Sequence, residues 1–286
     1  MRYNAALVFL KDLRIEHTLF ALPFAYVGAV LAAHGLPSWH VLFWITIAVL
    51  GARTSAMAAN RYFDRHIDRR NPRTARRAVP SGKLKPAVMV WAIGAGFAAL
   101  IVSAWMLNPL CVRLLPIAVV GVLFYPLCKR FWWGTHFVLG AIDALAPLGA
   151  YIAVAGAVSL PAMLLFVAVL VWVAGFDIIY ALMDVRIDRE QGIESVPARF
   201  GEPVARRLPA ALHVIMIVAL ALAGYLAGAS WWYFLGIGGA AALLVFEERQ
   251  FNRAQNALVL NERIFVSNMA FSVAFLGTTV AGFALR

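Results

Sequence analysis

Charge is scarce in this chain. Only 14% of its 286 residues are Asp, Glu, Lys or Arg, against about a quarter in soluble domains. Hydrophobic residues make up 63%, and the mean hydropathy is +0.80. Both values exclude a disordered polyelectrolyte and an ordinary water-soluble globule. Cysteine is nearly absent. Cys111 and Cys128 lie inside apolar stretches, which leaves no disulfide framework and no zinc-ligand spacing. Acids are fewer than bases, 14 against 25, for a formal net charge of +11. Such a surplus can mark a nucleic-acid binder, but in so apolar a chain it belongs to membrane topology, and no nucleic acid is expected as partner. No polar gap is long enough to separate two domains, so residues 1–286 are expected to form one transmembrane domain. Nothing in the sequence calls for an obligate protein partner.

What is abundant is apolar sequence in long runs. A membrane-crossing helix needs about 20 mostly apolar residues. Nine such spans are predicted, at 18–34, 40–62, 87–107, 111–128, 135–156, 160–184, 207–228, 230–247 and 264–284. The fold class is all-α and integral to the lipid bilayer. The first run is too long for a cleaved signal peptide and lacks a cleavage site. The amphipathic stretch Asn4–Leu13 before it is expected at the membrane interface.

The connections alternate in character. Those after the first, third, fifth and seventh spans are short and nearly uncharged. The others, with the adjoining helix ends and the N-terminus, carry all 25 basic residues except Arg53, Arg113 and Arg286. The positive-inside rule places that face and the N-terminus in the cytoplasm and the C-terminus outside; the membrane expected is the cell (inner) membrane. All 14 acids share that face except Asp143. The rule does not ask for acids, so both signs on one face mark a polar site, one that handles a metal and an anion.

The second span runs into Asn60, Asp64 and Asp68, and the sixth into Asp177, Tyr180, Asp184 and Asp188. Steps of four residues advance a helix only about 40° past a full turn. Each set is therefore predicted to form a stripe on one helix face. The two motifs lie four spans apart, so their helices run in the same direction, as in a divergent repeat of spans 1–4 in spans 5–8. Ionised Asp at membrane depth costs about 3 kcal/mol on insertion scales. Pairing with Arg61, Arg65, Arg69 and Arg186 would offset that cost but accounts poorly for one spacing appearing twice. Magnesium prefers oxygen ligands, usually one or two carboxylates completed by water and phosphate oxygens. Two facing stripes can hold Mg²⁺ ions bridged by a diphosphate, with Asn60 adding a neutral oxygen or donating to phosphate.

The loop after Asp68 supplies Arg69, Arg70, Arg73, Arg76, Arg77 and Lys83, and the next charged connection supplies Lys129 and Arg130. Arginine suits bidentate phosphate recognition, although a basic run beside a membrane also orients a protein or meets anionic lipid. A metal-held diphosphate in a membrane protein points to a lipid diphosphate. With an allylic prenyl chain, metals and basic residues stabilise the departing pyrophosphate. The remaining carbocation must be kept from water, which an apolar helical cavity does. This chemistry leaves the acceptor open.

Asn60-x3-Asp64-x3-Asp68 and Tyr180-x3-Asp184-x3-Asp188 resemble the paired motifs of the UbiA superfamily of intramembrane prenyltransferases. The likeness continues in Arg14-Ile-Glu-His-Thr, Asn71-Pro-Arg-Thr-x2-Arg77, Tyr125-Pro-x2-Lys129-Arg130, Gly175-Phe-Asp-Ile-Ile-Tyr180 and Gly192-Ile-Glu-Ser-Val-Pro-Ala-Arg-Phe-Gly201. It is strongest to the 4-hydroxybenzoate polyprenyltransferase branch with its archaeal and menaquinone-pathway relatives. The resemblance implies nine transmembrane helices around a central cavity, dependence on Mg²⁺, and transfer from a polyprenyl diphosphate to an aromatic acid in quinone biosynthesis. The acceptor it implies is 4-hydroxybenzoate, with 1,4-dihydroxy-6-naphthoate as the alternative. By the same resemblance Asp64, Asp68, Asp184 and Asp188 are the metal and diphosphate carboxylates. Asn60, Arg73, Arg77 and Lys129 contact the diphosphate. Asp177 and Tyr180 lie at the cavity wall, where Tyr180 shields the cation. Arg14, Arg53 and Arg130 are candidates for the acceptor carboxylate.

Several features depart from this pattern or stand outside it. Asp143 interrupts an apolar span and is expected to line the cavity near Tyr180 or to pair with Arg53. The charged stretch from Glu247 to Arg253 has no functional account. His17 and His136 lie near helix starts without the partner spacing of a metal site. A cation or proton transporter also uses intramembrane acids, but it spreads them through the membrane depth. A membrane phosphotransferase for CDP-alcohols expects a single, differently spaced aspartate set on fewer spans.

Overall fold

A computed structural model describes residues 4–13, 18–253 and 257–285. Thirteen helices follow one another in it: α1 (Ala5–Asp12), α2 (Thr18–Ala33), α3 (Trp39–Phe63), α4 (Arg65–Arg70), α5 (Pro86–Leu107), α6 (Pro109–Cys128), α7 (Thr135–Ala155), α8 (Leu160–Ala181), α9 (Val185–Gln191), α10 (Val196–Phe200), α11 (Glu202–Leu226), α12 (Trp231–Arg253) and α13 (Ala257–Ala284). No strand occurs among the described residues. Capping residues mark several starts. The Ser38 hydroxyl accepts from the Val41 N–H, and the Ser159 hydroxyl from the Ala162 N–H. Asn108 accepts from the Leu110 and Cys111 amides just before Pro109. Each cap meets amides that a helix start leaves unpaired.

Among the described residues, seven helices are long and apolar enough to cross a membrane: α3, α5, α6, α7, α8, α11 and the Val266–Ala284 part of α13. The expected all-α architecture with apolar spans is present; among the described residues, length and composition alone qualify seven of the nine expected spans. The apolar part of α2, Ala21–Ala33, is shorter. In α12 the apolar run ends in Glu247, Glu248, Arg249 and Arg253. Glu247 is buried there and hydrogen-bonds to Asn268 of α13.

α8 is the most enclosed spanning helix and α6 the least. α8 packs chiefly against α7 and α11, α2 against α7 and α13, and α3 against α5. Phe24, Trp172, Tyr233, Phe271 and Phe275 join α2, α8, α12 and α13 in one aromatic core, with Phe24 and Trp172 at 4.9 Å between ring centroids. Lipid is as apolar as leucine, so helices in a membrane associate through close packing rather than burial of apolar area. At the α3–α5 crossing, a Cβ on Gly51 would strike the Gly96 carbonyl, and one on Gly96 would strike the Gly51 carbonyl. Ser55 closes the same contact by donating to the Ile93 carbonyl at 2.9 Å.

Neither aspartate stripe is one continuous helix, as the spacing predicts. α3 stops at Phe63, Asp64 bends with φ −87° and ψ 0°, and α4 begins at Arg65. α8 stops at Ala181, and α9 begins after Asp184 with φ −109° and ψ 1°. Asp is a weak helix former, and here it occupies the bridge region of backbone space. In both motifs the amide four residues on returns to the bend: Asp68 N–H to the Asp64 carbonyl and Asp188 N–H to the Asp184 carbonyl, each at 2.8 Å. The shared break is what the two halves have most clearly in common. α9 ends at Gly192 with φ +66°, a left-handed position that glycine adopts without strain.

Candidate active site

The bends gather four carboxylates and their cations, but the partners are not the arginines nearest in sequence. Arg61 donates to the Asp12 carbonyl at 3.3 and 3.1 Å. Arg65 turns back to the Tyr62 carbonyl, and Arg186 pairs with Glu190. The aspartates are met by side chains from two separate connections.

Asp64 is 1% exposed. Its Oδ2 accepts from the Lys129 ammonium and, at 3.0 Å, from Asn60 Nδ2. Its Oδ1 is buried with no hydrogen-bond partner among the described residues. Burial raises the Asp64 carboxyl above its ordinary pKa, although Lys129 pulls the other way. Asp68 is also buried, and Arg77 Nη1 donates to both its oxygens at 2.8 Å. Asp184 receives the Arg73 guanidinium through Nε at 2.9 Å and through Nη2, and Asn71 Nδ2 at 3.0 Å. Burial alone would raise Asp184, but these hydrogen bonds hold it below its ordinary value. Asp188 has no such donor among the described residues. Burial first and the Asp184 charge second push its carboxyl up to about 7.

Asn60 is more committed than expected. Its Oδ1 accepts from Arg61 Nη1 at 3.1 Å while Nδ2 faces Asp64, so the neutral oxygen expected for a metal is already engaged. Tyr180 Oη accepts from Arg73 Nη1 at 2.8 Å. Asp177 lies one turn earlier on α8, and its Oδ2 meets His136 Nδ1 at 2.7 Å. Tyr125 of α6 has Asp177, Asp64, Asp143 and Arg53 within electrostatic reach.

That deeper pair is Arg53 with Asp143, at 3.3 Å. Of the two places expected for Asp143, the partnership with Arg53 is realised. Both residues line an apolar cavity of about 320 Å³ walled mainly by α3, α5, α6 and α7. Arg53 Nε is buried without a hydrogen-bond partner among the described residues. Arg130 instead donates to the Phe63 carbonyl at 2.7 Å, at the end of α3. Arg14 lies outside the described residues.

Tyr125, Asn71 and His136 were not singled out as site residues from the sequence. Asn71 carried a signal in Asn-Pro, a turn-forming pair. His136 carried a weaker one, since a polar ring at the start of an apolar span must find hydrogen bonds.

Among the described residues, no group of three or more His, Cys, Asp or Glu side chains is placed to hold a metal ion by itself. The site offers carboxylates in pairs with a buried, unpartnered oxygen on Asp64. That donor set fits a hard divalent cation whose shell is completed by phosphate and water.

Comparison with known proteins places this geometry. The sequence profile of the UbiA prenyltransferase family matches residues 21–272. The chain belongs to that family. It is 32% identical over 251 residues to the 4-hydroxybenzoate octaprenyltransferase of Aeromonas salmonicida, covering 86% of this chain and 85% of that one. The apo structure of a UbiA homolog from Aeropyrum pernix K1 superposes with a TM-score of 0.84 at 31% identity, over 93% of this chain and 97% of that chain. A UbiA homolog from Archaeoglobus fulgidus, bound to GPP and Mg²⁺, shares the fold with a TM-score of 0.66 at 17% identity, over 96% of this chain and 99% of that chain. This UbiA-family protein is therefore a prenyltransferase enzyme, built on apolar membrane helices with its charged cluster at the ends of α3 and α8.

Proposed function

We propose that this prenyltransferase moves a polyprenyl group from an allylic polyprenyl diphosphate onto an aromatic carboxylic acid of the 4-hydroxybenzoate type, in quinone biosynthesis. The observation that carries the reading is the junction itself. Three cation-paired carboxylates, with Asp188 beside Asp184, gather at the ends of α3 and α8, and an apolar cavity walled in part by α3 holds the Arg53–Asp143 ion pair.

Asp64, Asp68, Asp184 and Asp188 are the residues that would hold Mg²⁺. When bound, Mg²⁺ would neutralise the diphosphate and favour its departure. Lys129, Arg73 and Arg77 already sit on those carboxylates and turn the same donors to phosphate oxygens. Asn60, its oxygen taken by Arg61, acts as a donor. The prenyl tail lies in the apolar cavity, whose wall keeps water from the cationic carbon. Tyr180, fixed by Arg73, presents its ring face to that carbon. The unpartnered Arg53 Nε–H is the donor offered to the acceptor carboxylate, which supports 4-hydroxybenzoate and 1,4-dihydroxy-6-naphthoate alike. Arg130 and Arg14 are secondary candidates for it. The nine-span topology, with α2 and α12 as the remaining crossings, the N-terminus and site in the cytoplasm and the C-terminus outside the inner membrane, rests on the distribution of basic residues.

Prenyl transfer in detergent tests this. Geranyl diphosphate and Mg²⁺ are supplied with each acceptor separately, and EDTA and Asp64→Ala serve as controls. Product with one acceptor, lost in both controls, is expected and chooses the pathway. Folded protein that neither transfers nor binds the diphosphate with Mg²⁺ would overturn the reading of the aspartates.

A further inference from the structure

His136 is 2% exposed and makes two hydrogen bonds with different rules. The Val196 backbone N–H lies 3.2 Å from Nε2. An amide can only donate, so Nε2 is the acceptor and carries no proton. The neutral ring then has its proton on Nδ1, which lies 2.7 Å from Asp177 Oδ2 and donates to it. The polypeptide thereby selects the tautomer through a main-chain group, which no side-chain substitution at Val196 other than proline removes.

The amide that sets the tautomer is itself well placed. Ile193 N–H returns to the Asp188 carbonyl at 2.8 Å, closing α9. Glu194 N–H donates to the Lys129 carbonyl at 2.7 Å. Ile193 and Glu194 are thus tied to α9 and to Lys129, and two residues on Val196 meets the ring. On the other side, Asp177 keeps its second oxygen without a hydrogen-bond partner among the described residues, within electrostatic reach of Tyr125.

We propose that His136 is a positioning residue. In its Nδ1–H form it pins one oxygen of Asp177 and leaves the other as a hydrogen-bond acceptor for the hydroxyl of the aromatic substrate. The substrate half of this inference rests on the function proposed above; the tautomer and the pinning of Asp177 do not. Any side chain replacing His136 must accept from an amide and donate to a carboxylate at once. Glutamine can do both. Alanine and phenylalanine can do neither.

Two measurements test it on the full-length protein in detergent. Nitrogen-15 spectra of histidine-labelled protein at neutral pH, with the His136 signals assigned by their loss in His136→Gln, are expected to show Nδ1 protonated and Nε2 bare. A protonated Nε2, or a doubly protonated ring, would overturn the proposal whatever the enzyme's acceptor is. In kinetics, His136→Ala is expected to lower kcat about 10- to 100-fold, the range for removing a group that orients a ligating or reacting one. The KM for geranyl diphosphate should change by less than about threefold, and His136→Gln should recover most of the loss. In an Asp177→Asn background, His136→Ala should cost little more, because residues acting as a unit are not additive. Equal losses in both backgrounds, or a Gln variant as poor as Ala, would sink it. Melting curves of each variant separate these outcomes from misfolding. Wild-type protein with the expected spectrum but no transfer to either acceptor would count against the function and not against the positioning of Asp177.

Discussion

Arg73 grips Asp184 across 111 residues of sequence, with Nε at 2.9 Å and Nη2 on the second carboxylate oxygen. Its third nitrogen reaches Tyr180 Oη at 2.8 Å. One side chain of the loop after the first aspartate motif thereby organises two residues of the second. A guanidinium can do this because its donors form a rigid planar fork.

Arg73→Lys keeps the charge and loses the fork. The diphosphate KM is expected to rise about tenfold or more, since each charge-assisted bond contributes about 1.5–3 kcal/mol. Steady-state kinetics against geranyl diphosphate measures it. A lysine variant with unchanged KM would show that charge alone suffices there.

Lys129→Met leaves Asp64 buried without its cation. The loss is expected to be about 3 kcal/mol near neutrality, read as a lower melting temperature in EDTA. The sign with pH follows from Asp64, whose proton affinity burial raises in the fold. A raised carboxyl favours the folded state in its protonated form. That contribution is complete in acid and is lost as pH climbs through the folded pKa. Without Lys129 the folded pKa rises further, so the gap between variant and wild type should narrow on acidification. A gap independent of pH would refute this account.

Gly149 of α7 lines the apolar cavity, and a Cβ there would meet nothing within 4 Å. Gly149→Leu fills that space and removes a helix-interior glycine, a gain of about 0.5–1 kcal/mol in helix stability. Long-chain diphosphates should lose about tenfold in kcat/KM, the scale of a crowded methylene group, and geranyl diphosphate much less. Equal losses for short and long chains would place the tail elsewhere.

Arg53→Gln and Asp143→Asn separate the acceptor from the diphosphate. Arg53→Gln should raise the acceptor KM about tenfold, the worth of one charged hydrogen bond, with little effect on diphosphate binding. Asp143→Asn releases Arg53 from its 3.3 Å partner and should also alter acceptor use. Near-normal acceptor kinetics in Asp143→Asn would remove that residue from the site.

Much was legible in the residues because it depends on local composition. Apolar runs mark helices in lipid, since an unpaired backbone cannot stay there. The spacing of Asp64, Asp68, Asp184 and Asp188, beside Arg73, Arg77 and Lys129, announced a site for a metal and an anion. A four-residue spacing implies one helical face only if the helix continues, and here both helices bend at the aspartate.

Sequence by itself determined the solvent this chain folds in, the helices it forms and the chemical types gathered at their charged ends, because these follow from side chains a few residues apart. Tertiary structure decided the partnerships, choosing Arg53 from the two places open to Asp143 and giving the motif aspartates cations that are not their sequence neighbours. Arg73 with Asp184, Lys129 with Asp64, Arg53 with Asp143 and His136 with Asp177 lie 111, 65, 90 and 41 residues apart. Charge at a distance in sequence carries no address. Which cation meets which carboxylate depends on how packed helices cross, and that is set by shape across the whole bundle.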